Sequence, residues 1–264
     1  MCILLLRLCF RGYSPCGNAR HPNPRFSSHP PAPPRRASAL TLSSTISSIE
    51  LSRSRQSESL LMSRLPLELR QMIYEVVLGG RTVHISLFED YPIYHLVGRK
   101  CSMQVCYHVV GRKMEETNLC FSIALLATCR QIYTEAINIL YTANAFSFLG
   151  KQDCGMALAF LDHYLSPQRL DQLRVVNMHW DRITYPLVRN HTRNPVMRRN
   201  WDSSWKTLAR MKGLQKLFVR VDMEIKPDSF YQQWDEWDRK LFECVKLVVR
   251  PTVFVITLPD PRCF

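Results

Sequence analysis

The chain has 264 residues, of which 46% are hydrophobic and 22% are charged, and its formal net charge is +13. This apolar content predicts a folded core, while only nine glycines in so long a chain exclude the collagen-like and disulfide-scaffold classes. No stretch approaches ~18 consecutive apolar residues, so the sequence predicts no transmembrane segment.

Residues 1–57 differ from the rest of the chain in composition. They carry eight of the 35 basic residues but only one of the 22 acidic residues, together with seven of the 16 prolines. Such a segment buries too little apolar surface to offset the entropy of ordering, so we predict a disordered tail. A mitochondrial transit peptide has a similar composition, and a start codon placed too far upstream of Met62 is another alternative. The expected location is cytoplasmic or nuclear, with mitochondrial import as the alternative.

The ten cysteines are expected to be reduced thiols, because no convincing secretory signal precedes them. Cys101, Cys106 and His108, with His95 upstream, place four soft ligands within fourteen residues. This spacing lacks the paired C-x2-C knuckles that hold a structural zinc, and the same stretch also has the pattern of a strand. We therefore predict no metal site.

Proline and glycine bracket the first element of the folded region. Pro66 suits the first turn of a helix, because its missing N–H costs nothing there, and Gly79-Gly80 predicts the end of that helix. An alternating, β-branched run over 81–88 predicts a strand directly afterwards. The apolar residues in this helical segment recur at helical spacing and form one stripe. They are Leu65, Leu69, Met72, Ile73, Val76 and Val77.

Helices and strands alternate through the remainder of the chain. We predict a long helix over 123–141 and a short strand over 145–148. Three further strands are predicted, each preceded by a helix that an aspartate caps. The strands are 173–180, 214–221 and 252–258, and the aspartates are Asp153, Asp202 and Asp228. This alternation predicts a mostly parallel sheet in a repeat-like strand–helix stack, so we expect residues 58–264 to form a single α/β or α+β domain.

Two segments resemble known sequences. The run from Leu65-Pro66-Leu67-Glu68-Leu69 to Tyr74 resembles the opening of an F-box, the helical module that docks onto the Skp1 subunit of cullin ubiquitin ligases. The run LLATCRQIYTEA over 125–136, followed by Asn144-x-Phe146-x-Phe148, is more distinctive. Together they resemble a large, mainly fungal family of uncharacterised, F-box-like proteins catalogued as domain of unknown function 7730. The resemblance spans about 60–258 and implies an F-box-like helix at the entrance of the domain.

The resemblance implies a docking role for this first helix. The candidate partner-docking residues are Leu65, Pro66, Leu69 and Ile73, and a Skp1-like protein is the candidate partner. In an F-box three helices pack together within a short segment, whereas here a strand is predicted directly after the first helix. In the alternative interpretation, Leu65, Leu69, Met72 and Ile73 plug the end of the strand–helix stack.

The sequence lacks a recognisable catalytic motif. Asp162-His163 and His179-Trp180-Asp181 place acids beside imidazoles, yet neighbours in sequence on a helix or strand point apart. Acid–base catalysis by such an acid and imidazole would need a third group, which the sequence does not identify. We therefore predict no catalytic residues, no enzymatic activity and no cofactor.

Arginines accumulate without any acid between residues 182 and 199, in a predicted loop. The candidate anion-binding residues there are Arg189, Arg193, Arg198 and Arg199, because guanidinium forks suit phosphates. Nucleic-acid binding through this loop is one alternative function, and a solvated loop without a ligand is the other interpretation. The preferred function is a non-catalytic protein–protein interaction module, with an F-box-type adaptor of a cullin ubiquitin ligase as a further alternative.

Overall fold

The computed structural model describes residues 59–87, 93–98, 119–150, 157–183, 195–223 and 242–258. The predictions for the tail 1–57, for the caps Asp153 and Asp228, and for Cys101, Cys106 and His108 lie outside these residues. His95 is described as part of a strand, where it pairs with Ile85.

One sheet of six strands organises the described residues. The strands are β1 (Thr82–Leu87), β2 (Ile93–Gly98), β3 (Ala145–Gly150), β4 (Val175–Ile183), β5 (Lys216–Met223) and β6 (Val253–Thr257). Their order across the sheet is β2-β1-β3-β4-β5-β6. All neighbours are parallel except β1 and β2, which are antiparallel. The mostly parallel sheet predicted from the alternating pattern is therefore confirmed, and β1, β3, β4, β5 and β6 lie side by side in chain order, as in a repeat-like stack.

Seven α-helices flank the described strands. They are α1 (Leu60–Arg64), α2 (Leu67–Leu78), α3 (Leu119–Thr128), α4 (Arg130–Thr142), α5 (Leu161–Tyr164), α6 (Pro167–Leu170) and α7 (Pro195–Arg210). Two short 3-10 turns, Ala157–Phe160 and Cys244–Leu247, precede α5 and β6 respectively.

Two helix predictions were wrong in their boundaries. The helix expected over 123–141 is two helices, because Cys129 adopts an extended conformation and its Sγ accepts a hydrogen bond from the Ile132 N–H. Asp202 was expected to begin a helix, but α7 begins at Pro195 and includes Asp202 in its interior. A proline in the first turn needs no N–H partner, so Pro195 starts the helix without an aspartate cap.

The apolar core covers one face of the sheet. Alternate residues of the strands belong to it, among them Phe148, Met178 and Val219, because successive side chains on a strand point to opposite faces. Trp180 on β4 and Trp201 and Trp205 on α7 lie at 1%, 0% and 0% exposure. The ring centroids of Trp180 and Trp201 are 5.3 Å apart, and those of Trp201 and Trp205 are 5.5 Å apart. The three indoles thus join β4 to α7.

Asn144 ties the ends of α2 and α4 to the start of the sheet. Its Nδ2 donates to the carbonyls of Leu78 and Leu140 at 2.7 and 2.9 Å, and its Oδ1 accepts from the Arg81 N–H at 2.8 Å. Gly80, with φ of +67°, makes the left-handed turn between α2 and β1. The first helix predicted from the sequence is confirmed, and Asn144 fixes where it ends.

Candidate functional site

Helix α2 packs with Arg70, Tyr74 and Leu78 facing inward. Arg70 Nε and Nη2 donate to the two carboxylate oxygens of Glu135 on α4, both at 2.9 Å. Arg70 Nη1 also donates to the Leu65 carbonyl at 2.7 Å, at the start of α2. A bidentate guanidinium–carboxylate pair has a defined geometry, so these contacts set the rotation of α2 about its own axis.

Tyr74 and Gln131 complete a polar cluster around Glu135. The Tyr74 hydroxyl donates to Glu135 Oε2 at 3.0 Å, and Gln131 Nε2 donates to Oε1 at 2.9 Å. Burial, followed by the hydrogen bond to Glu135, raises the pKa of Tyr74 to about 12. Burial alone would raise the pKa of Glu135, but hydrogen bonds from Arg70, Gln131 and Tyr74 outweigh it and hold that pKa below its usual value. We call these four residues the Glu135 cluster.

The opposite side of α2 presents apolar side chains to solvent. Leu69, Met72, Ile73 and Val76 are 46%, 62%, 39% and 80% exposed. Their spacing of i, i+3, i+4 and i+7 places them on one side of the helix, and we call them the α2 stripe. Large apolar side chains grouped on one rigid helix are typical of an interaction surface, whereas single exposed ones are ordinary.

The candidate docking residues fall on or beside this stripe. Leu69 and Ile73 belong to it, Pro66 is exposed at the helix start, and Leu65 is half-buried. The alternative interpretation, in which Leu65, Leu69, Met72 and Ile73 plug the end of the stack, is wrong for Leu69, Met72 and Ile73, which are exposed.

Met72 and Val76 also belong to the exposed surface, although they were not among the candidate docking residues. Helical periodicity already grouped them with Leu69 and Ile73. What hydropathy could not show is that Arg70 and Tyr74 face inward, because that depends on Glu135, which is 65 residues from Arg70 in the chain.

The candidate anion-binding arginines do not all lie in one loop that the structure describes. Arg189 and Arg193 lie outside the described residues, whereas Arg198 and Arg199 belong to α7. Arg198 Nε lies 3.1 Å from Asp202 Oδ1, one helical turn farther on, so its charge is partly balanced within α7. Within the described residues, this arrangement favours a helix-surface ion pair at Arg198 over a phosphate contact.

A second polar cluster lies where β4 and β5 run together. His179, which is 6% exposed, has its Nε2 2.8 Å from Asp222 Oδ2, and Arg220 Nε donates to Asp222 Oδ1 at 2.7 Å. Burial opposes ionisation of Asp222, but Arg220 and His179 outweigh it and lower the pKa of Asp222. Sequence analysis missed this pairing because His179 and Asp222 are 43 residues apart.

Asp162, the neighbour of His163 in the sequence, pairs with an arginine of α7. Asp162 Oδ2 accepts a hydrogen bond from Arg210 Nη2 at 2.6 Å, which links α5 to α7. Within the described ranges, no group of three or more His, Cys, Asp or Glu side chains is arranged to hold a metal ion. None of the helices that the structure describes is both long and apolar enough to cross a membrane.

The fold and the α2 stripe define an α/β protein with exposed apolar side chains on the helix that precedes β1. Among protein-family models, the one for Domain of unknown function (DUF7730) matches residues 54–264. The chain therefore belongs to this family. Comparison with curated proteins and with solved structures gives no match.

Proposed function

We propose that this domain is a non-catalytic protein–protein interaction module that docks through the α2 stripe. The observation that carries the proposal is the exposure of Leu69, Met72, Ile73 and Val76 on one helix. A helix that presents apolar residues at i, i+3, i+4 and i+7 fits a groove on a partner protein. Each such side chain contributes about 1.5–3 kcal/mol when it is fully removed from water.

The inward face of α2 supports this role. The buried residues of α2 are Arg70, Tyr74 and Leu78. The α2 stripe lies on the other side of the helix, so it does not take part in the packing that includes the Arg70–Glu135 contact with α4. The Glu135 cluster fixes the rotation of the helix, so little conformational entropy is lost when a partner binds. The surface is thus preorganised.

The charges beside the stripe indicate the chemistry of the partner. Glu68 and Glu75 are exposed on α2, while Arg70 is buried and paired with Glu135. The solvent-facing charges of α2 itself are therefore acidic, although the whole chain carries a net charge of +13. The partner we expect has an apolar groove with basic residues at its rim.

An F-box-type adaptor is the second candidate function, and two observations favour it. Leu69 and Ile73, within the F-box-like run, are exposed. In addition, α2, α3 and α4 contact one another although β1 and β2 intervene in the sequence. Three mutually packed helices are what the F-box resemblance implies, so Skp1 is the partner to test first.

The decisive experiment compares two aspartate variants. Met72→Asp with Val76→Asp places two charges in the stripe, and Leu247→Asp with Val249→Asp places two charges on other exposed apolar residues. Wild type and both variants are titrated with purified Skp1 by calorimetry and used in quantitative affinity purification. We expect the stripe variant to lose at least ~100-fold in affinity for its partner, and the control variant to bind as wild type does.

The outcomes separate the candidates. Skp1 binding that the stripe variant abolishes supports the adaptor function. Binding of another purified partner, lost in the same variant, supports the interaction module and rejects the adaptor. If the stripe variant, still folded by circular dichroism, retains every partner of the wild type, the proposed function is wrong.

A further inference from the structure

Residues 2–11 are the most apolar stretch of the tail 1–57, which lies outside the described residues. They read CILLLRLCFR, so eight apolar side chains accompany two charged ones, Arg7 and Arg11. In a helix, Ile3, Leu6 and Phe10 would share one side, because their spacing is i, i+3 and i+7. We call residues 2–11 the tail segment. Disordered chains often fold on binding, and a segment that does so needs apolar side chains to bury.

The charges of the tail segment are opposite to those beside the α2 stripe. Glu68 and Glu75 are exposed and lie four residues before and three residues after Met72, so both adjoin Met72 on one flank of the stripe. Arg7 and Arg11 are the first charged residues of the chain, and no acidic residue occurs before residue 50. A second copy of α2 offers no such opposite charge, because its exposed charges are the same acidic ones. Apolar contact and charge pairing therefore favour the tail segment.

The tail enters the fold immediately before α2. Helix α1 and two further residues separate Ser59, where the description begins, from Leu67 at the start of α2. The path from Ser59 through α1 and along α2 to Val76 is at most ~35 Å long. Residues 12–58, which the sequence predicts to be disordered, would span ~35–40 Å as a flexible coil. A linker whose average span matches the separation gives the attached segment an effective concentration of ~1 mM.

We propose that the tail segment docks on the α2 stripe of its own chain and covers it until a partner displaces it. A dissociation constant of ~0.1 mM for the separate segment would keep the stripe covered about nine-tenths of the time. The contact itself requires no partner. Its consequence for partner binding rests on the proposed function, because the tail segment and the partner compete for the same side chains.

Oxidation of Met72 measures whether the α2 stripe is covered. This side chain is 62% exposed in the described structure, and dilute peroxide converts an accessible methionine to its sulfoxide, which peptide mass spectrometry quantifies. In the full chain, Leu5→Asp with Leu6→Asp should oxidise at Met72 about tenfold faster than the wild type, because the charged tail segment no longer docks. Met178, which is fully buried, should stay protected in both and so reports that the fold is intact.

A matched variant controls for added charge in the tail. Leu40→Asp with Leu42→Asp places the same two charges outside the tail segment, and Met72 should oxidise in it at the wild-type rate. Equal Met72 rates in the wild type and in Leu5→Asp with Leu6→Asp would overturn the proposal. Protection that grows with protein concentration between ~1 and ~50 μM would also overturn it, because a contact within one chain is independent of concentration and a second copy would then be the occupant.

Charge exchange tests the pairing between the two surfaces. At low salt, Arg7→Glu with Arg11→Glu should raise the rate of Met72 oxidation at least ~3-fold. Adding Glu68→Lys with Glu75→Lys restores opposite charges and should return the rate to that of the wild type. If the combined variant oxidises as fast as Arg7→Glu with Arg11→Glu alone, the charges do not direct the tail segment to the α2 stripe and the proposal is wrong.

These results are distinguishable from a failure of the proposed function. Met72 oxidation is measured without a partner, so a negative result there leaves the α2 stripe as a docking surface. Partner binding that survives Met72→Asp with Val76→Asp contradicts the proposed function instead, and it leaves the contact between the tail segment and the stripe unaffected.

Discussion

Two regions of this protein place their apolar residues in opposite ways. Around β4 and α7, the residues that sequence periodicity marks as apolar are buried, with Trp180, Trp201 and Trp205 at or below 1% exposure. Along α2, the apolar stripe faces solvent and Arg70 and Tyr74 face inward.

The difference shows that two kinds of interaction position these helices. Helix α7 is held against β4 by apolar area, which is non-directional and accumulates with every buried side chain. Helix α2 is held by the bidentate Arg70–Glu135 pair and by Asn144, whose hydrogen bonds fix orientation. Because those polar contacts set its rotation, α2 can leave a whole apolar side unburied.

The largest effect should come from the apolar region. Trp205→Ala removes a fully buried indole beside Trp201 and Phe254, so we expect the free energy of unfolding to fall by about 4 kcal/mol. Urea denaturation followed by circular dichroism measures this loss. Trp205→Phe is the control, and it should lose less than half as much, because it keeps an aromatic ring and removes the buried Trp205 Nε1 that has no hydrogen-bond partner. Equal losses for the two variants would show that apolar volume does not govern this region.

A smaller effect is expected when the polar contacts of α2 are broken. Arg70→Met leaves Glu135 without its guanidinium partner, which should lower the free energy of unfolding by less than Trp205→Ala does, because the pair is only partly removed from water. The double variant Arg70→Met with Glu135→Leu replaces both charges by apolar groups and should recover most of that loss. Arg64→Met, on an exposed residue of α1, should have little effect. A double variant less stable than Arg70→Met would show that the pair stabilises the fold in a way that apolar packing cannot replace.

The strands of the sheet are predicted well because the pattern that indicates them, the alternation of apolar and polar residues, lies within each strand. Val176, Met178 and Trp180 alternate with polar residues, and the predicted starts of β4, β5 and β6 agree with the observed ones to about two residues. Cys129 and Pro195 show where this local reasoning fails. A cysteine divides one apolar helix pattern into two helices, and a proline begins α7 earlier than the aspartate cap predicts.

The candidate site is less predictable because its orientation depends on distant residues. Periodicity identifies the α2 stripe but does not indicate which side of the helix is buried. That choice rests on Glu135, a residue of another helix, just as the partner of His179 is Asp222 on another strand. A pattern within one element carries no information about contacts between elements.

Acid should weaken the polar region by a moderate amount. The pKa of Glu135 is lower in the folded protein than in the unfolded chain, so its ionised form adds stability above the unfolded value, near pH 4. That stability is lost as the pH falls through the lower folded value. Glu135→Gln has no carboxyl to protonate, so its free energy of unfolding should fall less steeply than that of the wild type below about pH 5. Denaturation midpoints at a series of pH values measure this, and parallel pH profiles for wild type and variant would contradict it.

The smallest effect should come from the α2 stripe, and two adjacent valines allow a matched comparison. Val76 is 80% exposed, whereas Val77 packs against the core. Val76→Gln should change the free energy of unfolding by less than ~0.5 kcal/mol, because an exposed apolar residue stabilises little and glutamine is a better helix former than valine. Val77→Gln should cost about 1–2 kcal/mol, since it moves a polar amide into partly buried apolar surroundings. Equal losses of unfolding free energy for Val76→Gln and Val77→Gln in urea denaturation would contradict this. They would mean that the α2 stripe is packed like the core and that the two regions do not differ. A loss confined to Val77→Gln would show that the fold does not need the stripe for its stability, which leaves that surface available for a partner.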